Sequence, residues 1–164
     1  GTVNFGDDYL VNTIPMIKEA ASQMKQYDVK PTLECFDLSH IEASKVLIKE
    51  KLITPPYHYG LVLNGPGGVK YSPTTLSFFV DQLPSESYWT VIGIGGKVFL
   101  PSIFGAIAHN GFIRVGFEDN VYFGKGVLAD SNAQLINKAA HIIKQYGSTI
   151  ATPGDIRKLF KLKE

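Results

Sequence analysis

Four apolar runs, at residues 32–37, 59–64, 89–94 and 112–118, recur at intervals of roughly 25 to 30 residues, each closing in a polar or glycine-rich turn. Between them lie stretches with helical periodicity. Residues 13–27 put Ile14, Ile17, Ala21 and Met24 on one face, and similar amphipathic stretches cover 41–51, 74–82 and 98–108. A short apolar strand followed by an amphipathic helix is a βα unit, and successive units build a parallel sheet, because a parallel neighbour is reached only through a crossover. After the last run, residues 131–146 form a further helix, with Ser131 or Asn132 as its cap and Gly147 as its stop. A short turn at 155–160 is opened by Thr152-Pro153.

Two architectures accommodate four such units. The first is the C-terminal half of a (β/α)8 TIM barrel, contributing strands 5 to 8 with their helices, since eight units need about 250 residues. The second is a small open sheet with helices on both faces, where a ligand sits at the point at which strand order reverses. The opening Gly1-Thr2-Val3-Asn4-Phe5-Gly6-Asp7-Asp8 reads as the tail of a strand and its loop, and the initial methionine is absent, so a fragment is expected. Half a barrel with helices on one face would expose its apolar interior, and association with a second copy or with an N-terminal half follows.

The chain of 164 residues, 45% of them hydrophobic, suffices for one sizeable core, and residues 1–164 read as a single unit. A net charge of +1 without a basic stripe argues against nucleic acid or a membrane surface as partner. With no apolar run of about 18 residues and no leader, the chain reads as soluble and cytoplasmic. The lone Cys35, inside Leu33-Glu34-Cys35-Phe36, reads as a buried small hydrophobe rather than a nucleophile.

Chemistry concentrates in Phe112-Ile113-Arg114-Val115-Gly116-Phe117-Glu118-Asp119-Asn120. Extended throughout, this run would put Ile113, Val115 and Phe117 on one face and Arg114, Gly116 and Glu118 on the other. An inward arginine and glutamate are costly unless partnered. Four residues apart on a strand, Arg114 and Glu118 would stand about 13 Å from each other, too far for a tight pair and suited to a ligand between them. Asp119 begins the loop and can turn back over the same opening. A guanidinium clamps a carboxylate or oxyanion, and a terminal carboxylate holds a metal or moves a proton. A structural ion network at a strand end is the other reading. Of His40, His58, His109 and His141, none forms a His-x-His or His-x-x-x-His pair, and only His40 follows a strand end.

The string Arg114-Val115-Gly116-Phe117-Glu118-Asp119-Asn120, the opening Val3-Asn4-Phe5-Gly6, the strand Leu33-Glu34-Cys35-Phe36-Asp37 and the closing Ala151-Thr152-Pro153 together resemble the β-keto acid cleavage enzymes. The likeness spans nearly the whole chain and corresponds to the C-terminal part of that family's barrel. It implies a zinc-dependent (β/α)8 enzyme that condenses a β-keto acid with acetyl-CoA to give acetoacetate and an acyl-CoA. It implies Glu118 as a zinc ligand beside an early His-x-His, Arg114 and Asp119 as catalytic groups, and Glu34 in the pocket. This sequence has no His-x-His and offers one zinc ligand of three, so the others are expected from a missing N-terminal half.

Two turns, Asn64-Gly65-Pro66-Gly67-Gly68 and Gly93-Ile94-Gly95-Gly96, follow the second and third strands. Neither is a P-loop or a GxGxxG fingerprint. Glycine permits close backbone approach to a ligand, and Asn64, Gly65, Gly95 and Gly96 are the candidate coenzyme A contacts; tight βα turning alone also explains them. Two rival functions stand beside the enzyme: a non-catalytic half barrel that only completes a partner's site, and a metal-free coenzyme A or nucleotide binder.

Overall fold

The computed structural model describes residues 1–162. In chain order the elements are a hairpin of β1 (Val3–Phe5) and β2 (Asp8–Leu10), then α1 (Ile14–Gln26), β3 (Thr32–Cys35), α2 (Leu38–Lys49), β4 (Tyr57–Leu63), α3 (Pro73–Asp81), β5 (Ser87–Gly93), α4 (Gly96–Ala108) and β6 (Phe112–Arg114). A second hairpin, β7 (Tyr122–Gly124) with β8 (Val127–Leu128), precedes α5 (Asn132–Gln145) and α6 (Pro153–Phe160). All the helices but α4, which follows Gly95, begin where a side-chain oxygen takes an orphan N–H: Thr13, Asp37, Ser72 and Ser131 cap α1, α2, α3 and α5, and Thr152 with Asp155 forms a capping box on α6. Gly147, at φ +89°, ends α5 as anticipated.

The central sheet is wholly parallel in the order β3-β4-β5-β6. Each strand pairs with its neighbours in sequence, so no reversal of order creates a switch point, and the fold is the barrel type rather than the open sheet. Among the described residues no helix is long and apolar enough to cross a membrane.

Strand parity assigns the two faces. Cys35, Leu61, Val91 and Ile113 lie in one register row, and the first three are 2% exposed or less, buried with Ile41, Leu76 and Phe79 under the helices. The opposite face carries the rows Glu34-Gly60-Thr90-Phe112 and Val62-Ile92-Arg114. This inner face is less open than expected of a half barrel. At the N-terminal ends of the strands α6 inserts Phe160, whose ring centroid lies 4.8 Å from His58, 5.5 Å from Tyr88 and 6.1 Å from Phe112. Val62 and Ile92 are only 3% exposed.

Uncovered apolar side chains occur on several surfaces, the first hairpin and α1 among them, and on the second hairpin, where Val127 and Leu128 are exposed. Tyr9, Leu10, Ile14, Met16 and Met24 are exposed, and of the α1 face only Ala21 is buried, against Leu47 and Ile53.

Candidate active site

The last strand is shorter than its apolar pattern implies. β6 ends at Arg114, and the chain turns at Gly116, whose carbonyl accepts from the N–H groups of Asp119 at 3.1 Å and Asn120 at 2.9 Å. Asn132, opening α5, accepts the Phe117 N–H at 2.8 Å and fixes the bend. The alternation of faces therefore stops at Arg114. Phe117 points outward, 40% exposed, instead of joining an apolar face. Glu118 is carried back over the strand end, so the separation expected of an extended strand does not exist: Arg114 Nη2 donates to Glu118 Oε2 at 2.5 Å.

One guanidinium gathers three carboxylates. Arg114 donates through Nε and Nη2 to the two oxygens of Asp119, at 3.0 and 3.2 Å, and through Nη1 to Glu34 Oε1 at 3.2 Å. Their settings differ sharply. The Asp119 side chain is 4% exposed and that of Glu118 83%, with Glu34 between them, so the buried acid is Asp119 and not the glutamate. Burial pushes the Asp119 carboxyl up from its ordinary value against the pull of Arg114, and the charges of Glu118 and Glu34 push the same way.

The cluster stands at the mouth of a cavity of about 320 Å³ at the C-terminal ends of the strands, walled by Phe36, Val62, Ile92 and Ile94, with Phe5 and Leu10 of the first hairpin. Barrel enzymes carry their chemistry at this end. Of the glycine-turn candidates, Gly65 lines the cavity. Asn64, at φ +70°, spends its side-chain amide on the Ile94 carbonyl at 2.8 Å, and the Gly95 N–H spends itself on the Asp119 carbonyl at 2.7 Å. Gly96 packs against Tyr122. These three brace the strand ends around the site.

His40, the histidine singled out by position, is structural: buried at the start of α2, it accepts the Phe36 N–H through Nδ1 and donates from Nε2 to the Thr2 carbonyl. Cys35 is buried, with its thiol pushed up to about 12 by desolvation, which agrees with a packing role.

Sequence reasoning missed Gly60 and the second hairpin. A Cβ at Gly60 would stand 3.2 Å from Glu34 Cγ and 3.3 Å from Ile92 Cδ1, so the missing side chain leaves the path along which Glu34 reaches Arg114. The hairpin had a signal in Gly124-Lys125-Gly126 between short apolar runs.

Among the described residues no group of three or more His, Cys, Asp and Glu side chains is arranged to hold a metal ion. Glu34, Glu118 and Asp119 all face one guanidinium, and this donor set does not by itself fit zinc.

Consecutive parallel βα units, each strand paired with its neighbours in sequence, define half of a (β/α)8 barrel. A sequence model of the family described as beta-keto acid cleavage enzyme matches residues 1–162, and the chain belongs to that family. It is 40% identical over 165 residues to 3-keto-5-aminohexanoate cleavage enzyme of Acetoanaerobium sticklandii, covering 100% of this chain and 60% of that relative. The 3-dehydrocarnitine:acetyl-CoA trimethylamine transferase of Rhizobium meliloti is 37% identical over 99% of this chain and 54% of its own length. The chain thus spans little more than half of these relatives. A solved structure of ObcA in binary complex with oxaloacetate superposes with a TM-score of 0.82 at 15% identity, over 100% of this chain and 44% of that one, a likeness of fold.

Proposed function

We propose that this chain carries the arginine and carboxylate part of the active site of a β-keto acid cleavage enzyme, which condenses a β-keto acid with acetyl-CoA to give acetoacetate and an acyl-CoA. The observation that carries the reading is the convergence of Asp119, Glu118 and Glu34 on Arg114 at a cavity mouth. In this reading Arg114 receives the substrate carboxylate or the charge developing on its keto oxygen. Asp119, desolvated and upshifted, accepts and returns the proton at the carbon between the carbonyls. Glu34 and Glu118 hold the guanidinium oriented until an anionic substrate competes for it. Relatives named as acetyl-CoA transferases support the second substrate.

The same reading makes Glu118 one ligand of a zinc ion whose other ligands come from outside this chain, and makes the protein cytoplasmic and either a homo-oligomer or the partner of an N-terminal half. A second reading, a half barrel silent on its own, is favoured by the absence of a His-x-His pair and of any metal-holding cluster among the described residues.

Zinc titration and turnover test both. The chain alone is expected to bind zinc weakly, and to gain affinity when joined to the N-terminal half of a relative. In that completed barrel Glu118→Gln should lower zinc content, and Arg114→Ala should abolish turnover while the circular dichroism spectrum is kept. Full activity in either variant sinks the assignment.

A further inference from the structure

A second group of charges gathers at the N-terminal ends of the strands, the opposite end from Arg114. A cavity of about 350 Å³ opens there between the last turn of α1, the segments leading into β3 and β4, and the residues that end α6. Val29, Pro31, Leu52 and Ile53 give it an apolar wall, and Lys25, Lys30 and Lys161 line it beside Asp28, the one acidic residue on its surface among the described residues. Three lysines share the space with one aspartate.

The fold positions these cations without neutralising them. Lys25 Nζ donates to the Lys51 carbonyl at 2.8 Å, and Lys30 Nζ donates to the carbonyls of Thr54 at 3.1 Å and Pro56 at 2.9 Å. A carbonyl carries no net charge and an ammonium has three donors, so these contacts leave each lysine a further donor. Lys161 arrives by another route. Its neighbour Phe160 is buried against His58, Tyr88 and Phe112, and α6 closes at Lys161 in the left-handed region, φ +53°, with the Leu162 N–H on the Arg157 carbonyl at 2.9 Å. Lys161 therefore stands at a capped helix end. Burial and then the charge of Lys161 lower the Lys30 ammonium from its ordinary value, and Asp28 only partly offsets them. Like charges crowd one cavity.

A lysine meets phosphate as a point charge with rotatable donors, whereas the planar fork of arginine is the better match for a carboxylate. We propose that this cavity binds a diphosphate-bearing anion, with its phosphates on Lys25, Lys30 and Lys161 and any organic part against Val29, Pro31 and Leu52. Seated there, the anion ties the end of α6 to α1 and to the start of β3, and so fastens Phe160 beneath the sheet. The site is separate from the Arg114 cluster and does not rest on the reading of its chemistry.

Thermal unfolding and calorimetric titration of this chain with pyrophosphate and with adenosine diphosphate, against sodium chloride at matched ionic strength, test it. Both anions should raise Tm in a saturable way, because a ligand that binds only the native state stabilises it by mass action. Lys25→Gln and Lys161→Gln should each weaken binding roughly tenfold through loss of a charge-assisted contact, and Lys70→Gln, exposed in the segment between β4 and α3 at the other end of the strands, should change nothing. Lys161 is exposed, so its variant keeps the fold, which its Tm without anion verifies. Tighter binding of adenosine diphosphate than of pyrophosphate would put an organic group on the apolar wall, and equal binding would assign the site to the phosphates alone; either supports the proposal. A Tm that follows ionic strength only, or binding indifferent to both lysines, overturns it.

Discussion

Glu34 and Arg114 stand on the two outer strands of the parallel sheet, 80 residues apart in sequence, and meet at 3.2 Å across the inner face. Sheet curvature and two long side chains close the distance, and Gly60, in register with Glu34 on β4, the nearer of the two strands between, leaves the crossing open.

That crossing predicts the behaviour of Gly60→Val. Even the first added carbon enters contacts of 3.2 and 3.3 Å, and the two methyls beyond it must displace Glu34 or Ile92. Overpacking of this kind costs roughly 2 kcal/mol, or about 4 to 8 °C in Tm for a chain of this size. Calorimetry should show that loss for valine and a smaller one for Gly60→Ala. A valine variant that melts with the unaltered chain would mean that the strands are not held this closely.

The fold was legible where local rules operate. Amphipathic periods put α1 to α4 within a few residues of their observed bounds, and capping residues did the same for α5 and the start of α6, because both signals act between neighbours in sequence. The charged motif was legible as a set of ionisable residues and illegible as geometry. Alternation of faces holds only while the backbone stays extended, and Gly116 with Asn132 ends that condition two residues before Glu118. The meeting of Glu34 with Arg114 depends on curvature over four strands, which no window of sequence contains. Burial misled in the same way, since exposure of Glu118 and burial of Asp119 are set by the turn and by Gly95 of a different βα unit.

Arg114→Ala should destabilise the chain through Asp119. The variant leaves an almost wholly buried carboxylate without its cation, a loss of about 3 kcal/mol at neutral pH. Adding Asp119→Asn to Arg114→Ala removes the stranded charge and should recover part of that loss, so the two changes are strongly non-additive. Urea denaturation of the four proteins in the cycle measures the coupling. Simple additivity would show that the pair is not formed in solution.

Cys35 and Tyr59 predict alkaline sensitivity. Desolvation pushes the Cys35 thiol from 9.0 to about 12 and the Tyr59 phenol from 10.0 to about 12. Each is raised in the folded state, so the stability it lends is complete below its unfolded value and drains away as pH climbs toward 12. Urea midpoints should therefore fall steadily above pH 9, with a shallower fall in Cys35→Ala. At pH 8 the native thiol should resist a disulfide reagent that labels the urea-unfolded chain at once.

Asp119 offers the sharpest test of how the site is tuned. Its carboxyl is raised above 3.8 mainly by burial, with Glu118 and Glu34 adding to the rise and Arg114 opposing it. Being raised on folding, it favours the native state fully below 3.8 and loses that contribution as pH rises through its folded value; in the proposed role of a base, it would be competent only above that same value. Carbon-13 NMR of the Asp119 carboxyl should show an inflection above 3.8 in the unaltered chain. Glu34→Gln removes a neighbouring negative charge and should move the inflection down, and Arg114→Ala removes the opposing cation and should move it up. An inflection at or below the ordinary aspartate value would mean that pairing with Arg114 outweighs burial, and Asp119 would then be an anchor for the guanidinium instead of a proton acceptor.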